Sequence, residues 1–227
     1  MRLHLFIDAD DTLWENNVYF ESVFEEFVEL LGHSRLTPAQ VRARLDEIEH
    51  VNNRIHGYGA ANFARNLRQC YLALSERGPR PRDLESIDEY GRRLAAHPIE
   101  LLDGVGETLA ELAGRHELTV FTKGNPEEQR AKIERSGLAG FFHFTAIVRE
   151  KDAAAYRVLL ADRGLEATRC WMVGNSPKSD INPALEAGLG AVYIPHPRTW
   201  HLEHQEVRDG AGRLLVLERF SDLRKHF

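Results

Sequence analysis

From about Pro98 to its C-terminus the chain alternates short apolar runs with amphipathic stretches, and no other feature constrains its fold as strongly. Strands are expected at 118–122, 142–148, 170–174, 191–194 and 214–217. Helices are expected at 104–114, 126–136, 152–162 and 179–187, with a short one at 221–226. Strands separated by crossover helices predict a parallel sheet covered on both faces. Residues 3–8 form one more apolar run and belong to the same sheet. From about residue 17 to residue 97 the periodicity is helical only. Between Val18 and Leu31, the residues Phe20, Val23, Phe24, Phe27, Val28 and Leu31 recur at helical spacing. Thr37-Pro38 supplies an N-cap and a first-turn proline. Gly57-Tyr58-Gly59 and Gly78-Pro79 break the helices. The chain is therefore expected to be α/β: a doubly wound parallel sheet built from 1–13 and 99–227, with an all-helical domain inserted over 14–98.

In such a sheet, ligands bind beyond the carboxyl ends of the strands, and polar residues stand at four of those ends. The first run closes on Asp8-Ala9-Asp10-Asp11-Thr12. The second closes on Thr122-Lys123-Gly124, the third is followed by Lys151, and the fourth by Gly174-Asn175 with Asp180 shortly after. Charged groups at the ends of buried strands are costly unless a cation or a reaction needs them. The chemistry that fits is phosphoryl transfer. Asp8 can attack phosphorus, and Asp10 can protonate the leaving oxygen and then deprotonate water. Thr12, Thr122, Lys123 and the backbone at Gly124 are candidates to bind the phosphoryl oxygens. Lys151 screens charge, with Lys132 as a competitor for that part. Mg²⁺ is the cofactor suited to neutralise anion meeting anion.

These motifs resemble the haloacid dehalogenase (HAD) superfamily. Asp8-Ala9-Asp10-Asp11-Thr12 is similar to its DxDxT motif, Thr122 to the second motif, Lys151 to the third, and 174–180 to the fourth, usually GDxxxxD. The resemblance implies a Mg²⁺-dependent phosphatase with Asp8 as nucleophile and Asp10 as acid and base. It implies metal ligands at Asp8, the Asp10 carbonyl, Asn175 and Asp180, and a helical block serving as a C1-type cap. The chain departs from the pattern at Asn175, where an aspartate is usual, so a negative charge is missing. Asp10 argues against dehalogenation, because the true 2-haloacid dehalogenases of the superfamily lack that second aspartate. A phosphomutase, or a binding protein on this fold with weak turnover, remains the alternative.

The cap would meet substrate through Arg54, His56 and Tyr58, in the glycine-punctuated break between helices. A helix end and a turn explain the same residues. His196, His201 and His204 form a loose cluster that a solvated loop explains as well as a metal does. The net charge of −6 and the lack of a long basic run argue against nucleic acid or an anionic membrane as partner. A small phosphorylated metabolite and a monomer or homodimer are expected. Cys70 and Cys170 have no metal-ligand spacing and predict no disulfide framework. With no leader-like or membrane-spanning run, a cytoplasmic location is expected.

Overall fold

The computed structural model describes residues 2–227, which divide into two compact units, 2–17 with 99–227 and 18–98. The first unit carries a six-stranded, wholly parallel sheet: β1 (His4–Ile7), β2 (Glu117–Lys123), β3 (Phe144–Val148), β4 (Cys170–Gly174), β5 (Gly190–Tyr193) and β6 (Leu214–Val216). The strand order is β3-β2-β1-β4-β5-β6. The chain winds outward from β1 in one direction and from β4 in the other. The crevice at the β1/β4 carboxyl ends is thus the switch point where α/β sheets bind ligands.

Strand alternation explains why the runs are apolar throughout. Leu5 and Ile7 face one layer with Leu118, Val120 and Val173, while Phe6 faces the other with Phe121, Met172 and Tyr156. The first layer is closed by α5 (Val105–Arg115) and α6 (Pro126–Arg135) through Val105, Leu109, Leu112 and Ile133. The second is closed by α7 (Ala153–Arg163) and α8 (Asn182–Glu186) through Tyr156, Leu159 and Ala184. One expectation needs correction. The helix foreseen at 179–187 is a wide π-type turn, Pro177–Ile181, followed by the short α8. The backbone N–H of Ile181 reaches back to the Ser176 carbonyl at 3.1 Å, which widens the turn.

The second unit is helical: α1 (Asn17–Leu31, entering from the first unit), α2 (Pro38–His56), α3 (Ala60–Leu74) and α4 (Pro81–Ala95). Thr37 and Gln40 cap α2 reciprocally, the capping box the Thr-Pro start suggests. Phe27, Leu45, Leu67 and Ile87 lie at the centre of this unit's apolar core. Residues 14–17, counted with the helical block from sequence, stay with the sheet. Trp14 bridges to Leu101, and the Glu15 N–H donates to the Glu100 carbonyl at 2.9 Å.

Candidate active site

Asp8 continues the ladder of β1, its N–H donating to the Val173 carbonyl at 2.9 Å. The chain then turns sharply, with the Thr12 and Leu13 N–H groups both donating to the Ala9 carbonyl and Asp11 at φ 59°. The carboxylate of Asp11 accepts from the N–H groups of Asn16 (2.8 Å) and Asn17 (3.0 Å), so it caps α1. Burial pushes the Asp11 carboxyl up to about 7 against those donors. Of the three carboxylates in the motif, two remain for chemistry, and they face different partners.

Asp8 belongs to a buried, charged cluster. Lys151, 3% exposed, donates to Asp8 Oδ1 at 2.5 Å, to Asp180 Oδ1, and to the Phe121 carbonyl at 3.2 Å. Asp180 is fully buried, and its Oδ2 accepts from the Ser176 N–H at 2.9 Å. The wide turn returns that carboxylate to the strand end, and Gly174 leaves room for it. A Cβ at Gly174 would stand 2.2 Å from Asp180 Oδ2. Burial raises the Asp8 carboxyl, with the Lys151 charge opposing. Burial and the Asp8 charge push Asp180 up to about 7. Burial alone would lower Lys151, yet the two carboxylates hold its ammonium above the ordinary lysine value.

Asp10 occupies a second environment. Lys132 Nζ lies 2.7 Å from both of its oxygens, Trp14 Nε1 donates to Oδ1 at 2.8 Å, and Gln129 Nε2 to Oδ2 at 3.1 Å. Burial would raise this carboxyl, but Lys132 and the N–H donors leave it below the usual range. The two lysines weighed against each other from sequence thus have separate tasks, Lys151 on Asp8 and Asp180, Lys132 on Asp10. Thr122 Oγ1 joins the second environment by accepting from Gln129 Nε2 at 2.8 Å.

Lys123 departs from expectation. Its ammonium donates to Glu203 Oε1 at 2.6 Å and to Ser179 Oγ at 3.0 Å rather than being offered to a phosphate. Glu203 was missed from sequence. It is buried, its Oε2 accepts from Ser176 Oγ at 2.6 Å and Ser179 Oγ at 2.5 Å, and it so fastens the motif-four turn. It stands in a run without periodicity, where nothing marks one glutamate from its neighbours. Gly124, at φ 143°, leads into the N-cap Asn125 of α6.

The structure brings Asp8, Thr12, Lys151, Asn175 and Asp180 together on one side, and Asp10 with Thr122 on the other. Arg54 and His56 lie in the last turn of α2, and Tyr58 in the link after it, all in the second unit. The three histidines do not gather. His196 instead stands with Asp11 and Glu15, their ligand atoms within 4.8 Å of one another. Its Nδ1 accepts from the Arg198 N–H at 3.3 Å, which leaves the proton on Nε2, 3.5 Å from Glu15 Oε2. That tautomer turns an N–H rather than a lone pair toward Glu15, whose Oε2 has no hydrogen-bond partner.

The Asp8 side has the donors a hard cation requires. Thr12 Oγ1 lies 3.2 Å from Asp8 Oδ2 and 3.1 Å from Asn175 Oδ1, and its single proton cannot serve both oxygens. Asn175 is fixed in that direction, because its Nδ2 donates to Thr199 Oγ1 at 2.9 Å while the Thr199 hydroxyl donates to the His196 carbonyl. Lone pairs therefore face one another beside two carboxylates, and the residues present fit Mg²⁺.

Comparisons with known proteins show which family the chain belongs to. Residues 4–188 match the haloacid dehalogenase-like hydrolase family. The phosphoserine phosphatase of Thermus thermophilus is 28% identical over 186 residues, spanning 78% of this chain and 70% of that protein. A haloacid dehalogenase-like family hydrolase from Xanthomonas campestris superposes with a TM-score of 0.84 at 31% identity, covering 99% of this chain and 94% of that one. A 2-haloacid dehalogenase from Pseudomonas syringae shares the fold, with a TM-score of 0.64 at 22% identity over 99% of this chain and 97% of that one. Among the described residues no helix is long and apolar enough to cross a membrane. The chain belongs to the haloacid dehalogenase-like hydrolases.

Proposed function

We propose that the chain hydrolyses a small phosphomonoester through an aspartyl-phosphate on Asp8, with Asp10 as general acid and base. The observation that carries this reading is the contrast in partners at the end of β1. Asp8 is held by Lys151 beside Asp180 and Asn175, and Asp10 by Lys132, Trp14 and Gln129. A nucleophile and a proton carrier need separate surroundings of this kind. The relationship to a phosphoserine phosphatase supports the same substrate class.

In the first half-reaction an Asp8 oxygen bonds to phosphorus as the ester P–O bond breaks, and the leaving oxygen takes a proton from the Asp10 carboxyl, whose protonated form the negative charge of the arriving phosphoryl group favours against the pull of Lys132. In the second, water attacks the phosphorus and gives its proton to Asp10. The P–O bond to Asp8 breaks, freeing phosphate and restoring both carboxyl groups. Thr122 binds a phosphoryl oxygen, whereas the Gly124 N–H expected beside it is taken by the Val148 carbonyl at 3.1 Å, and Lys151 holds Asp8 while lowering the charge around it. Asp8, the Asp10 carbonyl, Asn175 and Asp180 would hold Mg²⁺, which supplies neutralisation of the phosphoryl charge. By the family resemblance the helical unit is assigned the part of the cap.

Asp10 favours this reading over dehalogenation, since a halide needs no proton to leave. The test is phosphate release from a panel of phosphorylated amino acids, nucleotides and sugars with Mg²⁺. Turnover that vanishes in Asp8→Asn supports the proposal, and turnover unchanged in Asp8→Asn removes it.

A further inference from the structure

The geometry points to Lys132 as the residue that positions Asp10 for proton transfer, through an ion pair to both carboxylate oxygens set up by the face of α6. This rests on the phosphatase reading.

Gln129, Lys132 and Ile133 are spaced three and four apart and share one side of α6. Ile133 sits in the apolar layer under the sheet, which fixes the rotation of the helix. Asn125 accepts from the Glu127 and Glu128 N–H groups and fixes its start. Gln129 and Lys132 therefore reach the strand end with little freedom. Lys132 is 3% exposed, and its remaining contact is Asn16 Oδ1 at 3.1 Å. Asp10 Oδ1 accepts from Lys132 and Trp14, and Oδ2 from Lys132 and Gln129, so rotation of the carboxyl in either direction breaks a charged contact.

Stability alone does not account for this arrangement. A buried ion pair is commonly no better for folding than apolar side chains of the same volume. What it does provide is one orientation of the carboxyl, and proton transfer is sensitive to misplacement by fractions of an ångström. Gln129 links that orientation to the phosphoryl site, since its Nε2 also donates to Thr122 Oγ1 and to the Lys123 carbonyl at 3.1 Å.

A positioning role predicts a loss that depends on the leaving group. In rapid-quench assays with Mg²⁺, Lys132→Met should lower kcat for an alkyl phosphate by roughly a hundredfold, the scale of a lost general acid, with KM little changed. Dinitrophenyl phosphate needs no proton on its leaving group, so its first turnover should fall by less than about tenfold. Its later turnovers should slow, because the water step still needs Asp10, and a burst of dinitrophenolate should appear with phosphoenzyme accumulating. Lys132→Arg keeps the cation and should recover part of the alkyl phosphate activity. It also carries the test if the methionine variant does not fold. Equal loss on both substrates, or parental rates on both, overturns the proposal. A parent protein that releases phosphate from neither substrate overturns the phosphatase reading as well, and does so before any variant is compared.

Discussion

Both units of this molecule bury polar side chains, but they bury different kinds. At the end of β1 and β4 the buried groups are charged: Asp8, Asp180, Lys151 and Lys132, each facing an opposite charge. In the helical unit Asn52, Asn62 and Asn66 are neutral amides bonded to other amides and to the backbone. Asn52 Nδ2 donates to Asn66 Oδ1 (2.8 Å) and Gln69 Oε1 (2.9 Å), and Asn62 Nδ2 to Asn53 Oδ1 (2.8 Å) and the Gly57 carbonyl (2.7 Å). That network fixes the link between α2 and α3 and needs no ligand to explain it. Two carboxylates are buried there as well: Asp83, which accepts from Arg80 and Tyr71, and Glu49, 4% exposed, whose Oε2 has no hydrogen-bond partner. Burial pushes the Glu49 carboxyl up to about 8, with the Arg42 charge opposing. Buried charge thus signals chemistry where it converges on reacting atoms, and it signals a local stability cost where it stands alone.

The comparison is open to direct attack. The largest effect is expected at Lys151. Lys151→Met leaves Asp8 and Asp180 without their shared cation, and should cost about 3–5 kcal/mol of stability at pH 8 by urea unfolding. The loss should shrink near pH 5, where Asp180, pushed up to about 7, carries its proton. Unchanged stability at pH 8 would mean that the cluster is not held together by charge.

Glu49 should behave in the opposite sense. Its carboxyl rises from 4.5 to about 8 on folding, so the folded state binds a proton that the unfolded chain has released. The stability linked to that proton is complete below pH 4.5 and lost as pH rises through about 8. Glu49→Gln removes the titration. It should match the parent at pH 4 and exceed it by about 2 kcal/mol at pH 8, with a higher Tm. Equal melting at both pH values would contradict the assignment.

The smallest effect concerns the missing charge at Asn175. Asn175→Asp should tighten Mg²⁺ binding on the order of tenfold in calorimetric titration without substrate, because ligand charge sets affinity for hard cations. Thr199 can accommodate the change by turning its hydroxyl from the His196 carbonyl to the new carboxylate. Weaker binding would place Asn175 outside the cation site.

Sequence order made much of this legible. Apolar runs with turn residues at their ends mark β1, β2 and β4, and the strand-end rule then joins Asp8, Lys151 and Asp180 across the chain. What stayed hidden depends on tertiary contact. Glu203 and Thr199 reach the site from an irregular loop, where no periodicity says which side chain turns inward. Lys123 stands next to Gly124 in a setting that suggests phosphate binding, and only the fold reveals its partner Glu203. The wide turn at 177–181 stayed hidden because nothing in the sequence separates it from the helix expected at 179–187.

The central claim is covalent chemistry at Asp8, and acid quenching followed by peptide mass analysis tests it most directly. During turnover of a phosphomonoester with Mg²⁺, the peptide containing Asp8 should gain the mass of one phosphoryl group, and the Asp8→Asn variant should not. Sustained turnover with no phosphoryl group on that peptide, or the same modification in Asp8→Asn, would contradict the account.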